Sequence, residues 1–375
     1  MADSLEFLSD ASAIERRARR FDDPIERLRY LRQATAITPQ RPARKYFIAC
    51  FAIALTTVAW RSDAVVRHTP HLPARAVSPL RYSSEVPNVW PVEQTAAYDL
   101  YSNGLRIENR LAVSNHPRSY RLIAHGSAAV GPPRTEPAGI VFHISESDQA
   151  PFEREQKHTI QRLGQELLLY ARNHRAYHFV IDRFGRVHRI VVESDSADHA
   201  GHSIWADSKW TYLGLNESFL GVAFEARTQA DQAILTEAQI RSARALTEML
   251  RARYNLQAED CVVHAQVSVN PSNHRIGWHT DWGAGFPFGE IGLPDNYGIP
   301  NPSLYEFGFE YDEVYTHATG PDLWRGLEAA EARLREAAAG RGVTVAQYRR
   351  SLQQRFLDAQ SVVQHKNPDE ENPNE

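Results

Sequence analysis

Cysteine is nearly absent. Cys50 and Cys261 are the whole complement, so a disulfide framework is excluded in any compartment. An excess of one charge is missing too. The 42 Lys and Arg nearly balance 46 Asp and Glu, for a net charge of -4, which excludes whole-molecule attraction to nucleic acid. Long apolar runs are also lacking, so the chain is not a polytopic membrane protein. The most apolar stretch is Tyr46-Phe-Ile-Ala-Cys-Phe-Ala-Ile-Ala-Leu-Thr-Thr-Val-Ala-Trp60. As a helix it rises only ~22 Å, against a hydrocarbon core of ~30 Å. Flanking Arg44, Lys45 and Arg61, with Tyr46 and Trp60 at the ends, can snorkel and close part of that gap. Residues 46–61 are therefore expected to form a single-pass anchor, with a buried core helix as the alternative. A cleaved signal peptide fits poorly, because the segment before the run is far too long.

What is present is ordinary globular composition, 42% hydrophobic and 23% charged over 375 residues. That length suits one catalytic-size domain with extensions. Residues 1–45 are arginine-rich and expected on the cytoplasmic side of the anchor. Residues 62–137 are proline-rich, with an Asn103-Gly104 hairpin signal inside. From Gly139 the pattern tightens. Gly139-Ile-Val-Phe-His143 reads as a buried strand, and residues 159–174 as a helix with Ile160, Leu163, Leu167 and Ala171 on one face. Strands follow at 177–183, 187–192 and 220–225. Thr236 and Gln239 form a capping box opening a helix, and Cys261–Val267 reads as the next strand. Strands alternating with helices predict an α/β fold, with the main domain over 138–315. Helices are expected at 323–339 and 345–360 in an extension over 316–366. The acidic tail 367–375 is expected to be disordered.

The 16 histidines invite a search for metal ligands. His143 and His264 each end a short apolar strand-like run, which holds a side chain rigidly at a strand's edge. The loop Asn273-His274-Arg275-Ile-Gly-Trp-His279-Thr-Asp281-Trp-Gly283 adds further imidazoles and a carboxylate. Two histidines and a carboxylate are a common catalytic zinc set, with one position left for water. On spacing alone, His274 and Asp281 both remain candidates for the third ligand.

The order of these motifs resembles the type 2 N-acetylmuramoyl-L-alanine amidases, which share a fold with peptidoglycan-recognition proteins. The resemblance rests on Ile140-Val-Phe-His143, on Tyr177-His178-Phe179 with its turn at Gly185, and on His199-Ala200-Gly201 with Ser203 and Trp205. It continues through Asn216, Gly221-Val222, His264 and His279-Thr280-Asp281-Trp282-Gly283. It implies a central mixed β-sheet flanked by helices; the N-terminal anchor helix and the C-terminal helical extension read from the residues lie outside it. It implies Zn²⁺ held by His143, His264 and Asp281, and catalytic roles for Tyr177, His279 and Glu225. His199, Ser203 and Trp205 would line the substrate groove.

The resemblance further implies cleavage of the amide between N-acetylmuramic acid and L-alanine in peptidoglycan or muropeptides. With the anchor, the domain would sit on the outer face of a bacterial inner membrane, in the periplasm. Departures are specific. The family's lysine before the last ligand is His279, its proline after it is Trp282, and a glutamate some members carry is Ala223. Glu225, one pleat further, is then the candidate proton shuttle, or else a strand-end salt bridge. Two competitors follow. A non-catalytic peptidoglycan-binding or sensor protein fits the substitutions, and His279-Thr-Asp281 with His317 would fit a non-haem iron(II) oxygenase.

Overall fold

The structure is a computed structural model describing residues 85–364 apart from 127–128 and 230–231. The arginine-rich segment, the 46–61 run and the acidic tail lie outside the described residues. Among those described, no helix is long and apolar enough to cross a membrane.

The centre is an eight-stranded mixed sheet in the order β1-β2-β3-β8-β7-β11-β6-β14. Its strands are β1 (Pro91–Gln94), β2 (Tyr98–Tyr101), β3 (Arg106–Glu108), β6 (Gly139–Ile144), β7 (Phe179–Ile181), β8 (Val187–Arg189), β11 (Phe219–Phe224) and β14 (Cys261–Val263). A second, four-stranded sheet combines β4 (Tyr120–Ala124), β5 (Val130–Arg134), β9 (Ile204–Ala206) and β10 (Trp210–Leu213). A small ribbon of β12 (Thr228–Gln229) and β13 (Gln232–Ala233) follows β11. The helices are α1 (Lys157–Asn173), α2 (Leu215–Ser218), α3 (Glu237–Tyr254), α4 (His264–Val267), α5 (Pro302–Phe307), α6 (Glu313–Thr319), α7 (Pro321–Gly340) and α8 (Val345–Gln364). The expected α/β class with flanking helices and a C-terminal helical extension is what the chain forms.

The inner strands β7, β11, β6 and β14 run parallel and are buried on both faces, which is why they read as unbroken apolar runs. On one face Ile140, Phe142, Leu220, Val222 and Phe224 pack with Ala243, Leu246 and Leu250 of α3. The opposite face is shared. Val141, Phe219 and Val262 meet Trp205 and Tyr212 of the second sheet, while Val180 and Ala223 meet Leu167, Leu168 and Ala171 of α1. Each large apolar side chain buried this way contributes ~1.5–3 kcal/mol. The capping box is present as expected: Thr236 Oγ1 accepts from Gln239 N–H at 3.1 Å, and Gln239 Oε1 accepts from Thr236 N–H at 3.1 Å.

One expectation is met and one needs correction. The Asn103-Gly104 hairpin expected within 62–137 forms as β2–β3 and enters the main sheet through β3–β8 pairing. Asn103 Nδ2 also donates to the Ala245 carbonyl of α3 at 2.9 Å. The strand expected over Cys261–Val267 stops at Val263. There Gln266 Oε1 accepts from Val263 N–H at 3.1 Å, and the chain turns into the single helical turn α4.

The second sheet leans on a buried carboxyl. Trp205 Nε1–H donates to Asp260 Oδ1 at 3.0 Å, yet burial outweighs that bond and pushes the Asp260 carboxyl up to about 7. The folded state therefore holds a proton that the unfolded chain has already lost. Stability falls as pH rises from about 4 to about 7, and the penalty is complete above that. Asp260→Asn keeps an acceptor for Trp205 and carries no charge. It should flatten this slope and gain up to roughly 2 kcal/mol at pH 8. Urea melts of both proteins at pH 5 and pH 8 read the effect, and identical pH trends would count against it.

Candidate metal centre

Register alone brings two histidines level. In β6, His143 pairs across the ladder with Ala223 of β11, and Phe142 pairs with Val263 of β14. His264, one residue after Val263, thus stands beside His143 at the carboxyl edge of neighbouring parallel strands. Their rings lie 4.5 Å apart. That edge is the usual place for a ligand site in an open α/β sheet.

Asp281 arrives from the segment between α4 and α5. The backbone fixes it: Ala265 N–H donates to the Asp281 carbonyl at 3.1 Å. The next residue, Trp282, is the anchor. Its ring is buried against Phe224 and Phe286, and its carbonyl accepts from the Tyr297 hydroxyl at 2.7 Å. Trp282 takes a φ of 58°, which the fixed ring geometry of proline forbids. The residue that departs from the family pattern is thus the one whose backbone turns this loop.

Asp281 Oδ1 lies 2.8 Å from His264 Nδ1, and Oδ2 lies 3.3 Å from His143 Nδ1. One donor atom from each of the three residues falls within 4.8 Å of the others. The far ring nitrogens are also tethered. His143 Nε2 is 3.1 Å from His199 Nδ1, and His264 Nε2 is 3.4 Å from the Ala200 carbonyl. A carbonyl only accepts, so with a metal on Nδ1 a neutral His264 keeps its proton on Nε2 and donates to Ala200; without one, Nδ1–H can donate to the carboxylate. Both imidazoles thus turn an Nδ1 toward one carboxylate. That donor set fits a divalent metal, with outer partners orienting the ligands.

The electrostatics agree. Burial, then the neighbouring His264, push His143 down to about 4, so its imidazole is neutral at ordinary pH. Burial alone would raise the Asp281 carboxyl, but the two imidazoles override it and hold it well below the usual carboxylate range.

The other residues expected at the site divide. Tyr177 sits beside the cluster, its ring 5.1 Å from that of His143, and adopts a φ of 66°. A bulky aromatic rarely occupies that region, and such strain gathers at functional sites. Burial and the Asp281 charge raise the Tyr177 hydroxyl, so it keeps its proton. His279 is exposed and stacks on His264 at 4.7 Å, with its backbone N–H donating to Ser268 Oγ at 2.9 Å. Desolvation of its inner face and the His264 neighbour push it down to about 4. His279 is therefore a neutral imidazole and no substitute for a lysine's charge.

Three groove expectations are corrected. His199 lies buried behind His143. Ser203 is buried, its hydroxyl donating to the Gly201 carbonyl at 3.1 Å and accepting from Leu215 N–H at 2.9 Å. Trp205 is 1% exposed and tied to Asp260. None of the three faces a solvent groove. Glu225 is buried away from the cluster, where Oε2 accepts from Arg183 N–H at 3.1 Å and the carboxylate lies against Gly164 of α1. Burial raises its pKa. Because that carboxyl is already engaged, Glu225→Gln should keep hydrolysis within about threefold of the parent, since one hydrogen-bonding oxygen replaces another. Steady-state rates on muropeptide check this, and a hundredfold loss would restore the proton-shuttle role.

The rivals fall outside the cluster. His274 packs between Phe309 and Phe356, away from the other donors. His317 is exposed on α6, and the chain forms an α/β sheet in place of the double-stranded β-helix an iron oxygenase would need. Sequence reasoning missed Arg118 and the carbonyls of Ala200 and Phe219. Backbone acceptors leave no trace in residue identity.

Residues 133–284 match the family model described as N-acetylmuramoyl-L-alanine amidase. The motif order read from the sequence points to the same family. No curated protein matches. Among solved structures, the amidase AmiD from E. coli, bound to anhydro-N-acetylmuramic acid-L-Ala-D-gamma-Glu-L-Lys, is 18% identical. That match covers 63% of this chain and 89% of AmiD at a TM-score of 0.36. The amidase LysC from Clostridium intestinale URNW is 22% identical, covering 48% and 93% at 0.27. Drosophila peptidoglycan recognition protein SD is 15% identical, covering 42% and 84% at 0.26.

Proposed function

From a chain whose residues 133–284 match the amidase family model, we propose a zinc-dependent N-acetylmuramoyl-L-alanine amidase acting on peptidoglycan or muropeptides. The observation that carries this reading is the convergence of His143, His264 and Asp281 at the carboxyl edge of adjacent parallel strands. Those three residues would hold the metal, and Zn²⁺ when bound polarises an amide carbonyl and makes water acidic enough to attack near neutral pH.

The remaining groups belong to the chain. Tyr177 keeps its proton at working pH and offers a hydrogen bond to the oxyanion that develops on the substrate carbonyl. His279, neutral and exposed, can accept a proton from the attacking water and return it to the leaving amine. Buried Ala223 stands where some family members carry a glutamate, so His279 takes that task here. The periplasmic location rests on the 46–61 run and on this substrate class.

The test is digestion of purified peptidoglycan by parent protein after chelation and after zinc return, with product masses read. Free stem peptides appearing only with zinc support the amidase. Binding to peptidoglycan without peptide release would instead favour a sensor.

A further inference from the structure

We infer that His199 is a positioning residue, fixing the tautomer of His143 by relaying the Phe219 carbonyl to it. The inference rests on the reading of His143, His264 and Asp281 as a metal site.

The geometry runs in one line. His199 Nε2 lies 3.3 Å from the Phe219 carbonyl, and its Nδ1 lies 3.1 Å from His143 Nε2. The carbonyl can only accept, so the single proton of a neutral His199 sits on Nε2. Nδ1 is then an acceptor, and His143 must donate from Nε2. The lone pair of His143 is left on Nδ1, facing Asp281 at 3.3 Å.

The chain is built to seat this ring. Asn216 Oδ1 accepts from the His199 N–H at 3.0 Å and from the Ala200 N–H at 2.7 Å. Gly221 leaves the necessary space, because a Cβ there would stand 2.5 Å from His199 Cγ. The clamped pair 199–200 also presents the Ala200 carbonyl to His264 Nε2. One short segment thus holds the outer nitrogens of both imidazoles. A residue that only lined a groove would need neither the clamp nor the bare glycine.

The experiment uses full-length protein with ¹⁵N-labelled histidine. Two-bond proton–nitrogen spectra read the ring tautomers without metal and with zinc, and competition with a chromophoric chelator reads zinc affinity. His143 of the parent should carry its proton on Nε2 in both states. His199→Asn retains an acceptor where Nδ1 lies, so it should keep that tautomer and bind zinc within about threefold of the parent. His199→Phe removes the acceptor at similar size. It should mix the His143 tautomers and weaken zinc binding by roughly 10–100-fold. Should the Phe variant not fold, His199→Ala takes its place. Unchanged tautomer and affinity in the variant without an acceptor would overturn the inference while leaving the metal site standing. A parent that takes up no zinc would remove the metal reading, and the metal-free spectra would still decide the role of His199.

Discussion

Asp281→Asn is expected to cost about three decades in zinc affinity and at least as much in kcat/KM. Asp281 carries the only formal charge in the donor set, and its two oxygens reach both Nδ1 atoms at 2.8 and 3.3 Å. Asparagine keeps the shape. It retains one weaker oxygen ligand and turns an N–H₂ group toward one imidazole. Removing the charged member of a buried ionic group typically costs 3–5 kcal/mol, and ~1.4 kcal/mol is a factor of ten. Since burial alone pushes the Asp281 carboxyl up and the imidazoles hold it down, the anion and the rings are mutually dependent. Chelator competition and hydrolysis rates measured on the same preparations check the expectation. Near-parent zinc affinity in the Asn variant would show that the carboxylate is not a ligand.

The second large effect is on stability. Arg118 is 1% exposed, and among the described residues its guanidinium meets the His178 ring at 2.8 Å and backbone carbonyls, with no carboxylate hydrogen-bonded to it. Its guanidinium instead donates to the carbonyls of Glu193 at 3.2 Å, Glu217 at 2.6 Å, Phe219 at 3.3 Å and Asp195 at 3.0 Å. Burial lowers it to about 10, so it stays charged. Arg118→Ala takes one buried, charged donor from each of four carbonyls, of which Phe219 keeps His199 and Asp195 keeps His178, and should cost about 3–5 kcal/mol, or a fall in Tm of roughly 10 °C. Arg118→Lys keeps the charge but loses the planar fork, and should recover about half of that loss. Because the Phe219 carbonyl also receives His199, the Ala variant should bind zinc more weakly even at temperatures where it is folded. Thermal melts, with zinc competition well below the transition, separate the two effects. A Tm within a degree or two of the parent would contradict the expectation.

The parallel core was readable because strands buried on both faces must be apolar throughout, as β6 and β11 are. The capping box at Thr236 was readable because its chemistry is local. His143, His264 and Asp281 could be nominated from residue type and motif order. Their meeting could not, since it depends on β6–β11–β14 register and on the backbone turn at Trp282. The expected strand at 264–267 failed because a tertiary constraint, the Gln266 bond back to Val263, outweighed an apolar pattern that suits strand and buried turn alike.

Residue order determined the chemical inventory and the layered architecture, because periodicity and ligand chemistry are properties of the chain itself. The roles within that inventory were decided only by folding. Exposure separated His279 from His199, although both are histidines in family motifs. Burial removed Ser203 and Trp205 from any groove, and a neighbouring amide engaged Glu225. Which water each side chain loses, and which carbonyl it then meets, is set by segments distant in sequence, and that is the physical reason no local pattern could announce it.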